Sequence, residues 1–123
     1  MLEIGLVHTS TVTVSRENLA VTMGSGDMEV FATPAMVALM ENAAMCCVAP
    51  ELPEGSSTVG GMMQTSHIKP SAPGAQIEAT ATLTQIEGWK LTFKVEAKEN
   101  GQLIGEGTHL RFIVDRNKFL SKL

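Results

Sequence analysis

Residues 33–49 read TPAMVALMENAAMCCVA, and this stretch decides the fold class of the 123-residue chain. Thr33 is a favourable N-cap, Pro34 is a favourable first helical residue, and Pro50 predicts the end of the helix. Apolar residues recur at helical spacing along the stretch, but the opposite face is also apolar. The pattern therefore predicts one long helix that is buried on nearly all sides.

The segments on either side of this helix alternate between apolar and polar residues, which is typical of strands. Before the helix, residues 6–15 read LVHTSTVTVS, and a glycine-containing loop follows at Met23–Met28. After the helix, strands are predicted over residues 59–68, 76–86, 89–98 and 102–114. Asn100-Gly101 is a strong two-residue hairpin signal between the last two strands. The C-terminal residues DRNKFLSKL predict a short helix.

One sheet wrapped around one apolar helix is the arrangement that buries these elements best. This is an α+β fold of the hotdog type, in which an antiparallel sheet surrounds a long helix, and we expect a single domain over residues 1–123. The sheet can cover only one side of the helix, so the apolar far side needs another cover. A second copy of the chain is the simplest one. We therefore expect a homodimer and leave open whether two dimers form a tetramer.

The composition excludes several classes of function. Hydrophobic residues make up 44% of the chain and charged residues 18%, as in ordinary folded proteins. A formal net charge of -4 disfavours nucleic acid or an anionic membrane surface as the main partner. No window of about 18 apolar residues predicts a membrane span. The first residues, MLEIGLVHTS, lack the basic region of a secretory signal.

The only two cysteines, Cys46 and Cys47, are adjacent in the sequence. Neighbouring residues do not easily form an unstrained disulfide, so we expect two free thiols buried among Ala, Met and Val. Free thiols indicate a reducing compartment, and we expect a cytoplasmic location.

Two residues of the long helix carry groups that can do chemistry. Glu41 is its only charged residue, and it is either a general base or a carboxylate that reaches solvent at the helix edge. The Thr33 hydroxyl either caps the helix or lies where free N–H groups favour an oxyanion. Eight helical positions separate the two residues by ~12 Å along the axis. Either a substrate spans them, or Thr33 of one chain faces Glu41 of another.

Candidate residues also lie in the predicted strands. His67, near the end of a strand, is a structural or a catalytic histidine, whereas His8 and His109 have weaker claims. No pair of histidines has zinc-like spacing, so no metal site is expected. Gly60-Gly61 interrupts a strand, which indicates a bulge or a close backbone approach to a ligand. Arg111, in the last strand, can pair with an acid or hold a ligand anion.

These motifs together resemble the fluoroacetyl-CoA thioesterase-like family of hotdog proteins. The resemblance covers residues 31–119 and rests on Val30–Ala44 (VFATPAMVALMENAA), Ser57–Gly60, His67, the WKLTF that begins at Trp89, the GEGTH that begins at Gly105, and Arg111. The spacing of the threonine, the glutamate and the histidine is the specific part of it.

The resemblance implies that Thr33, Glu41 and His67 are catalytic residues. It also implies that the backbone N–H of Gly60 helps to hold a thioester carbonyl and that Arg111 is a further active-site residue. The expected reaction is hydrolysis of an acyl-CoA thioester: water, or first the threonine hydroxyl, attacks the carbonyl while the histidine transfers the proton. No metal and no organic cofactor are expected, since coenzyme A is part of the substrate.

Lys69 is the first candidate for binding the anionic coenzyme A, because it follows His67 closely.

The segment Met23–Val30 departs from the family pattern. The fluoroacetyl-specific enzyme has phenylalanines there that form a lid, whereas this segment has no aromatic residue. We therefore expect a broader or different acyl-group preference.

Two alternatives to a thioesterase stay open. A non-catalytic acyl-CoA binding or sensing module would need the same pocket but not the three catalytic residue types, so their joint presence counts against it. An enoyl-CoA hydratase of the same fold usually has an aspartate followed by a histidine five residues later, and this sequence has no such pair.

Overall fold

The computed structural model describes all residues 1–123. The strands are β1 (Val7–Thr13), β2 (Ser56–His67), β3 (Gln76–Glu87), β4 (Lys90–Glu99) and β5 (Gln102–Asp115). The helices are α1 (Ala20–Met23), α2 (Thr33–Val48) and α3 (Arg116–Ser121), with short 3-10 turns at Arg16–Asn18 and Ala49–Glu51. Every strand, the long helix and the short terminal helix lie where the sequence predicts them.

The five strands form one antiparallel sheet in the order β1-β3-β4-β5-β2. The last three strands form a meander, and its β4–β5 turn has Asn100 and Gly101 at φ 50° and 77°, as the predicted hairpin requires. β2 does not pair with β3, which follows it, but lies beside β5 at the edge of the sheet. Residues 68–75, with two prolines, carry the chain from one side of the sheet to the other.

The concave face of the sheet packs against α2. Alternate residues of β3 and β4, from Ile77 to Leu83 and from Leu91 to Ala97, are fully buried. One face of the helix meets them, and it consists of Met36, Met40, Ala43, Ala44, Cys47 and Val48. The opposite face is only partly buried within a single chain. The α+β hotdog architecture predicted from the sequence is confirmed.

The start of α2 differs from the prediction by one residue. Ala32, in an extended conformation, is the N-cap, so Thr33 is already the first helical residue and Pro34 the second. The helix has no side-chain hydrogen bond at its N-cap. The prediction that the Thr33 hydroxyl caps the helix is therefore wrong, and that hydroxyl is free to bind another group.

No helix in the structure is both long enough and apolar enough to span a membrane. Cys46 and Cys47 are free thiols, as predicted, but only Cys47 is buried, whereas Cys46 is half-buried on the side of α2 that the sheet does not cover completely. Burial raises the pKa of the Cys47 thiol, and a backbone hydrogen bond from Leu83 offsets part of this shift, so the protonated thiol is favoured.

Candidate active site

The Thr33 hydroxyl, at the N-terminus of α2, contacts the side chain of His67 at the end of β2. Their Oγ1 and Nδ1 atoms are 2.8 Å apart, which is a normal hydrogen-bond distance. Phe31 packs edge-on against the imidazole, with ring centroids 6.4 Å apart, and so restricts its orientation. A hydroxyl beside an imidazole is the arrangement by which a base activates a nucleophile or a water molecule.

This pair lies in the wall of a cleft of about 330 Å³. Its lining includes Thr33, His67 and Lys69 on one side and, from the segment before α2, Ser25, Asp27 and Met28. The segment that lacks phenylalanines in the sequence therefore does border the cleft. Phe31, which does line it, is 2% exposed and packs on the histidine.

Burial lowers the pKa of His67, and the backbone of Lys69 opposes this shift more weakly. The neutral imidazole is thus the favoured form at neutral pH. Nε2 is buried and has no hydrogen-bond partner within the chain. A neutral ring that accepts a hydrogen bond from the Thr33 hydroxyl at Nδ1 carries its own proton on Nε2. Burial thus favours the neutral imidazole, which is the form that a general base needs.

A second polar group forms around Gly60, in the middle of β2. The Glu41 carboxylate reaches this glycine from α2, and a β-carbon on Gly60 would be only 2.9 Å from its Oε2 atom. The same point is 3.4 Å from Cε1 of His109 and 3.5 Å from Nη1 of Arg111. A β-carbon at this position would require the end of the Glu41 side chain to move, so glycine lets the carboxylate lie here beside His109 and Arg111. The strand bulges between Gly60 and Met62, as the sequence indicates.

Arg111 is the cation of this second group. It is 6% exposed, and its Nε and Nη2 atoms donate to the hydroxyl and the carbonyl of Thr58, at 2.8 and 2.9 Å. The three ion pairs of the chain lie elsewhere, so the carboxylate of Glu41 is near the guanidinium without forming a salt bridge. Burial lowers the pKa of Arg111, and the negative charge of Glu41 raises it.

The structure thus divides the predicted site residues between two places in one chain. Thr33, His67 and Lys69 line the cleft, whereas Glu41, Gly60 and Arg111 meet in the middle of the sheet. Lys69 also donates from Nζ to the side-chain oxygen of Gln102, which holds its ammonium group at the edge of the cleft.

Sequence reasoning missed two members of the second group, His109 and Thr58. His109, for which the sequence alone gives only a weak claim, is 1% exposed and hydrogen-bonded to Arg111. Its position two residues before the arginine on the same strand places both on one face, and this spacing is the signal that was available. No cluster of three His, Cys, Asp or Glu side chains suited to holding a metal ion occurs in the chain.

Comparisons with known proteins agree on one family. A family model described as fluoroacetyl-CoA-specific thioesterase matches residues 14–117. A fluoroacetyl-CoA thioesterase from Streptantibioticus cattleyicolor is 38% identical over 95 residues, which cover 77% of this chain and 68% of that protein. A mutant of the fluoroacetyl-CoA enzyme in complex with acetyl-CoA superposes with a TM-score of 0.93 at 30% identity, over 98% of this chain and 96% of that one. A Thermus thermophilus thioesterase superfamily member superposes with a TM-score of 0.91 at 27% identity, over 99% of this chain and 90% of that one.

Proposed function

The chain belongs to the fluoroacetyl-CoA-specific thioesterase family, and from this premise we propose that it hydrolyses an acyl-CoA thioester. The observation that carries the proposal is the 2.8 Å contact between Thr33 Oγ1 and His67 Nδ1 in the wall of the cleft. A thioester needs an activated oxygen nucleophile, and this contact provides either a base for water or an activated hydroxyl.

The proposed reaction uses only side chains and backbone groups of the protein. Water, or first the Thr33 hydroxyl, attacks the thioester carbonyl as His67 takes the proton. The carbon–sulfur bond then breaks, and the proton goes to the coenzyme A thiolate as it leaves. Hydrolysis of any acyl-threonine intermediate by a second attack releases the acid. Such chemistry requires no metal or organic cofactor, and we propose that the enzyme uses none.

Glu41, Gly60 and Arg111 are proposed to act on the same substrate from a second copy of the chain. Within one chain, Thr33 and Glu41 are separated by ~12 Å of helix, and Gly60 and His67 by roughly 20 Å of strand. One chain therefore cannot bring the two groups together around a single carbonyl. A homodimer that joins the groups of opposite chains gives two complete sites.

The position of β2 supports this dimer. β2 is an edge strand, so its outer backbone groups can pair with another strand. Antiparallel pairing with its own copy, about a two-fold axis beside Met63 and Gln64, would place Gly60 of one chain opposite His67 of the other. The partly exposed face of α2 would lie in the same interface.

In this dimer, the proposed role of Arg111 and the Gly60 backbone N–H is to stabilise the charge that develops on the thioester oxygen. Glu41 would orient the attacking water or balance the charge on the imidazole. Lys69, at the edge of the cleft, is the proposed contact for the anionic part of coenzyme A.

We propose an acyl-group preference that differs from that of the fluoroacetyl-specific relative. The cleft is bordered by Ser25, Asp27 and Met28, and Met28 is 65% exposed, so the segment before α2 does not seal it with apolar rings. A structural relative binds acetyl-CoA, which makes short acyl groups the first ones to test.

The two free thiols support the proposal of a cytoplasmic location.

The experiment that tests the function is release of coenzyme A from a panel of short, branched, aryl and fluoroacetyl thioesters. Glu41→Gln runs beside the wild type, and we expect it to lose most turnover while keeping its melting temperature. Reagents for free thiols need a protein blank because of Cys46 and Cys47. If a folded protein that binds coenzyme A hydrolyses none of these esters, the chain is a binding or sensing module instead. Wild-type turnover in Glu41→Gln would refute the role of the carboxylate.

A further inference from the structure

His109 is a buried, hydrogen-bonded imidazole that the proposed reaction does not use. It lies on β5, two residues before Arg111, and is 1% exposed. Its Nδ1 atom is 2.7 Å from the carbonyl oxygen of Met62, and its Nε2 atom is 3.3 Å from Nη1 of Arg111. A histidine with both ring nitrogens engaged inside a protein core has a defined orientation and a defined tautomer.

The hydrogen bonds determine which nitrogen carries the proton. A carbonyl oxygen only accepts, so Nδ1 of His109 donates to Met62. A guanidinium only donates, so Nε2 must accept from Arg111 and therefore has no proton. The imidazole between these two partners is neutral.

Every element around His109 contributes to this environment. β2 supplies the carbonyl of Met62, at the bulge next to Gly60. β4 supplies Phe93, whose ring lies 6.2 Å from the imidazole centroid to centroid. The charged groups that face the ring are Arg111, on its own strand, and Glu41, on α2.

The hydrogen bond to His109 holds the remaining nitrogen of the Arg111 guanidinium in place. Thr58 binds the Nε and Nη2 side of the guanidinium, and His109 binds Nη1, which is the nitrogen that points toward Gly60. The Glu41 carboxylate approaches the same point from the other side. Without an acceptor at Nε2, Nη1 would lose this partner, and the flexible Glu41 carboxylate would move toward it and form a salt bridge that the structure does not contain.

We propose that His109 is a positioning residue that holds the Arg111 guanidinium beside Gly60 and apart from Glu41, and so keeps both charges available to the substrate. The inference rests on the proposed thioesterase function. It assigns no contact between His109 and the substrate.

Protonation of His109 would destroy this arrangement. The Nε2–H so formed would face an N–H of Arg111, and two positive charges would stand side by side. Burial lowers the pKa of His109 most, Arg111 lowers it further, and the Met62 carbonyl and Glu41 raise it. His67 must also be neutral to act as a base, and burial lowers its pKa as well. Two histidines thus have to lose their protons before the enzyme is active.

The first test is the acid limb of the pH profile of kcat/KM. Below both pKa values, log(kcat/KM) of the wild type should rise with pH at a slope approaching about two. His109→Gln supplies an amide N–H and an amide oxygen but does not titrate. We expect it to retain activity within about tenfold at neutral pH and to show a slope of about one. His8→Gln, on the exposed edge strand, is the matched control and should keep the wild-type profile.

His109→Phe keeps the volume of the ring and removes both hydrogen bonds. We expect kcat to fall at least about tenfold with KM within about twofold, because Arg111 acts on the transition state rather than on substrate binding. If this variant does not fold, the slope of log(kcat/KM) against pH in His109→Gln tests the proposal by itself.

Nitrogen-15 NMR of the histidine rings tests the geometry without any turnover. The spectrum should show His109 as the neutral Nδ1–H tautomer at pH 7, and Arg111→Met should raise its pKa by removing the adjacent charge. A charged ring, the Nε2–H tautomer, or a slope near two in His109→Gln would overturn the positioning role while leaving the thioesterase function standing. If the wild type hydrolyses no ester, the proposed function fails, and the positioning role fails with it even where the hydrogen bonds are observed.

Discussion

At the scale of single residues, Thr33 shows how one hydroxyl can serve either the helix or the reaction. A threonine at the N-cap would bind backbone N–H groups, and its loss would cost about 1 kcal/mol. In the structure Thr33 is the first helical residue, and its hydroxyl contacts His67 instead. The energetic and chemical consequences of replacing it are therefore separable.

We expect Thr33→Val to change the free energy of unfolding by less than about 0.5 kcal/mol, because it keeps the branched shape and removes no cap. Its kcat/KM should fall by about 10² or more, since His67 loses the group it orients. Thr33→Ser, which keeps the hydroxyl, should retain most of the activity. Urea unfolding and steady-state kinetics of the three proteins measure both effects. A Thr33→Val protein that is destabilised yet fully active would show that the hydroxyl stabilises the helix and is not needed for the reaction.

At the scale of elements, the site depends on how closely α2 approaches β2 at Gly60. The absence of a side chain there lets the Glu41 carboxylate come within reach of Arg111 across the strand. The neighbouring Gly61 has a different reason to be glycine, because a β-carbon there would lie 2.3 Å from a ring carbon of Phe112. Two adjacent glycines thus adjoin the polar group of Glu41, His109 and Arg111 on one face of the strand and the ring of Phe112 on the other.

Gly60→Ala should displace the end of a flexible carboxylate and little else. We expect kcat to fall roughly tenfold or more while the melting temperature changes little. In a protein that already carries Glu41→Gln, Gly60→Ala should lower kcat much less than it does in the wild type, because both changes act through the side chain of residue 41. Gly61→Ala is the comparison, and it should lower the melting temperature by crowding the Phe112 ring. Additive losses from Gly60→Ala and Glu41→Gln would show that the glycine acts independently of the carboxylate.

Local sequence signals predict the elements of this fold but not all of their contacts. The boundaries of α2 follow from Pro34 and Pro50, and the last hairpin from Asn100-Gly101, because these residues restrict the backbone where they stand. The pairing of β2 with β5 is a contact between distant segments, and no residue of either strand encodes it alone. The contact of Thr33 with His67 and the burial of His109 depend on that pairing, so the local pattern alone leaves Thr33 open between a helix cap and a catalytic hydroxyl and gives His109 only a weak claim.

At the scale of the whole molecule, the separation of the two polar groups predicts that activity depends on having two copies of the chain. In the proposed dimer, Thr33 and His67 of one copy act together with Glu41 of the other, because ~12 Å of helix separates Thr33 from Glu41 within a chain. A protein that carries Glu41→Gln and a protein that carries His67→Ala should each be inactive alone. When their subunits mix, each heterodimer contains one site with both substitutions and one site with neither.

Mixing the two inactive proteins at equal amounts, with brief unfolding and refolding to exchange subunits, should therefore restore about a quarter of the wild-type rate. Half of the dimers are then mixed, and each mixed dimer has one intact site of two. The double variant Glu41→Gln/His67→Ala mixed with the wild type is the matched control, because every mixed dimer in that sample has one defect in each site. Size-exclusion chromatography with light scattering verifies the dimer. If the first mixture stays as inactive as its components, each site takes both groups from a single chain, and the arrangement of β2 about a two-fold axis is wrong.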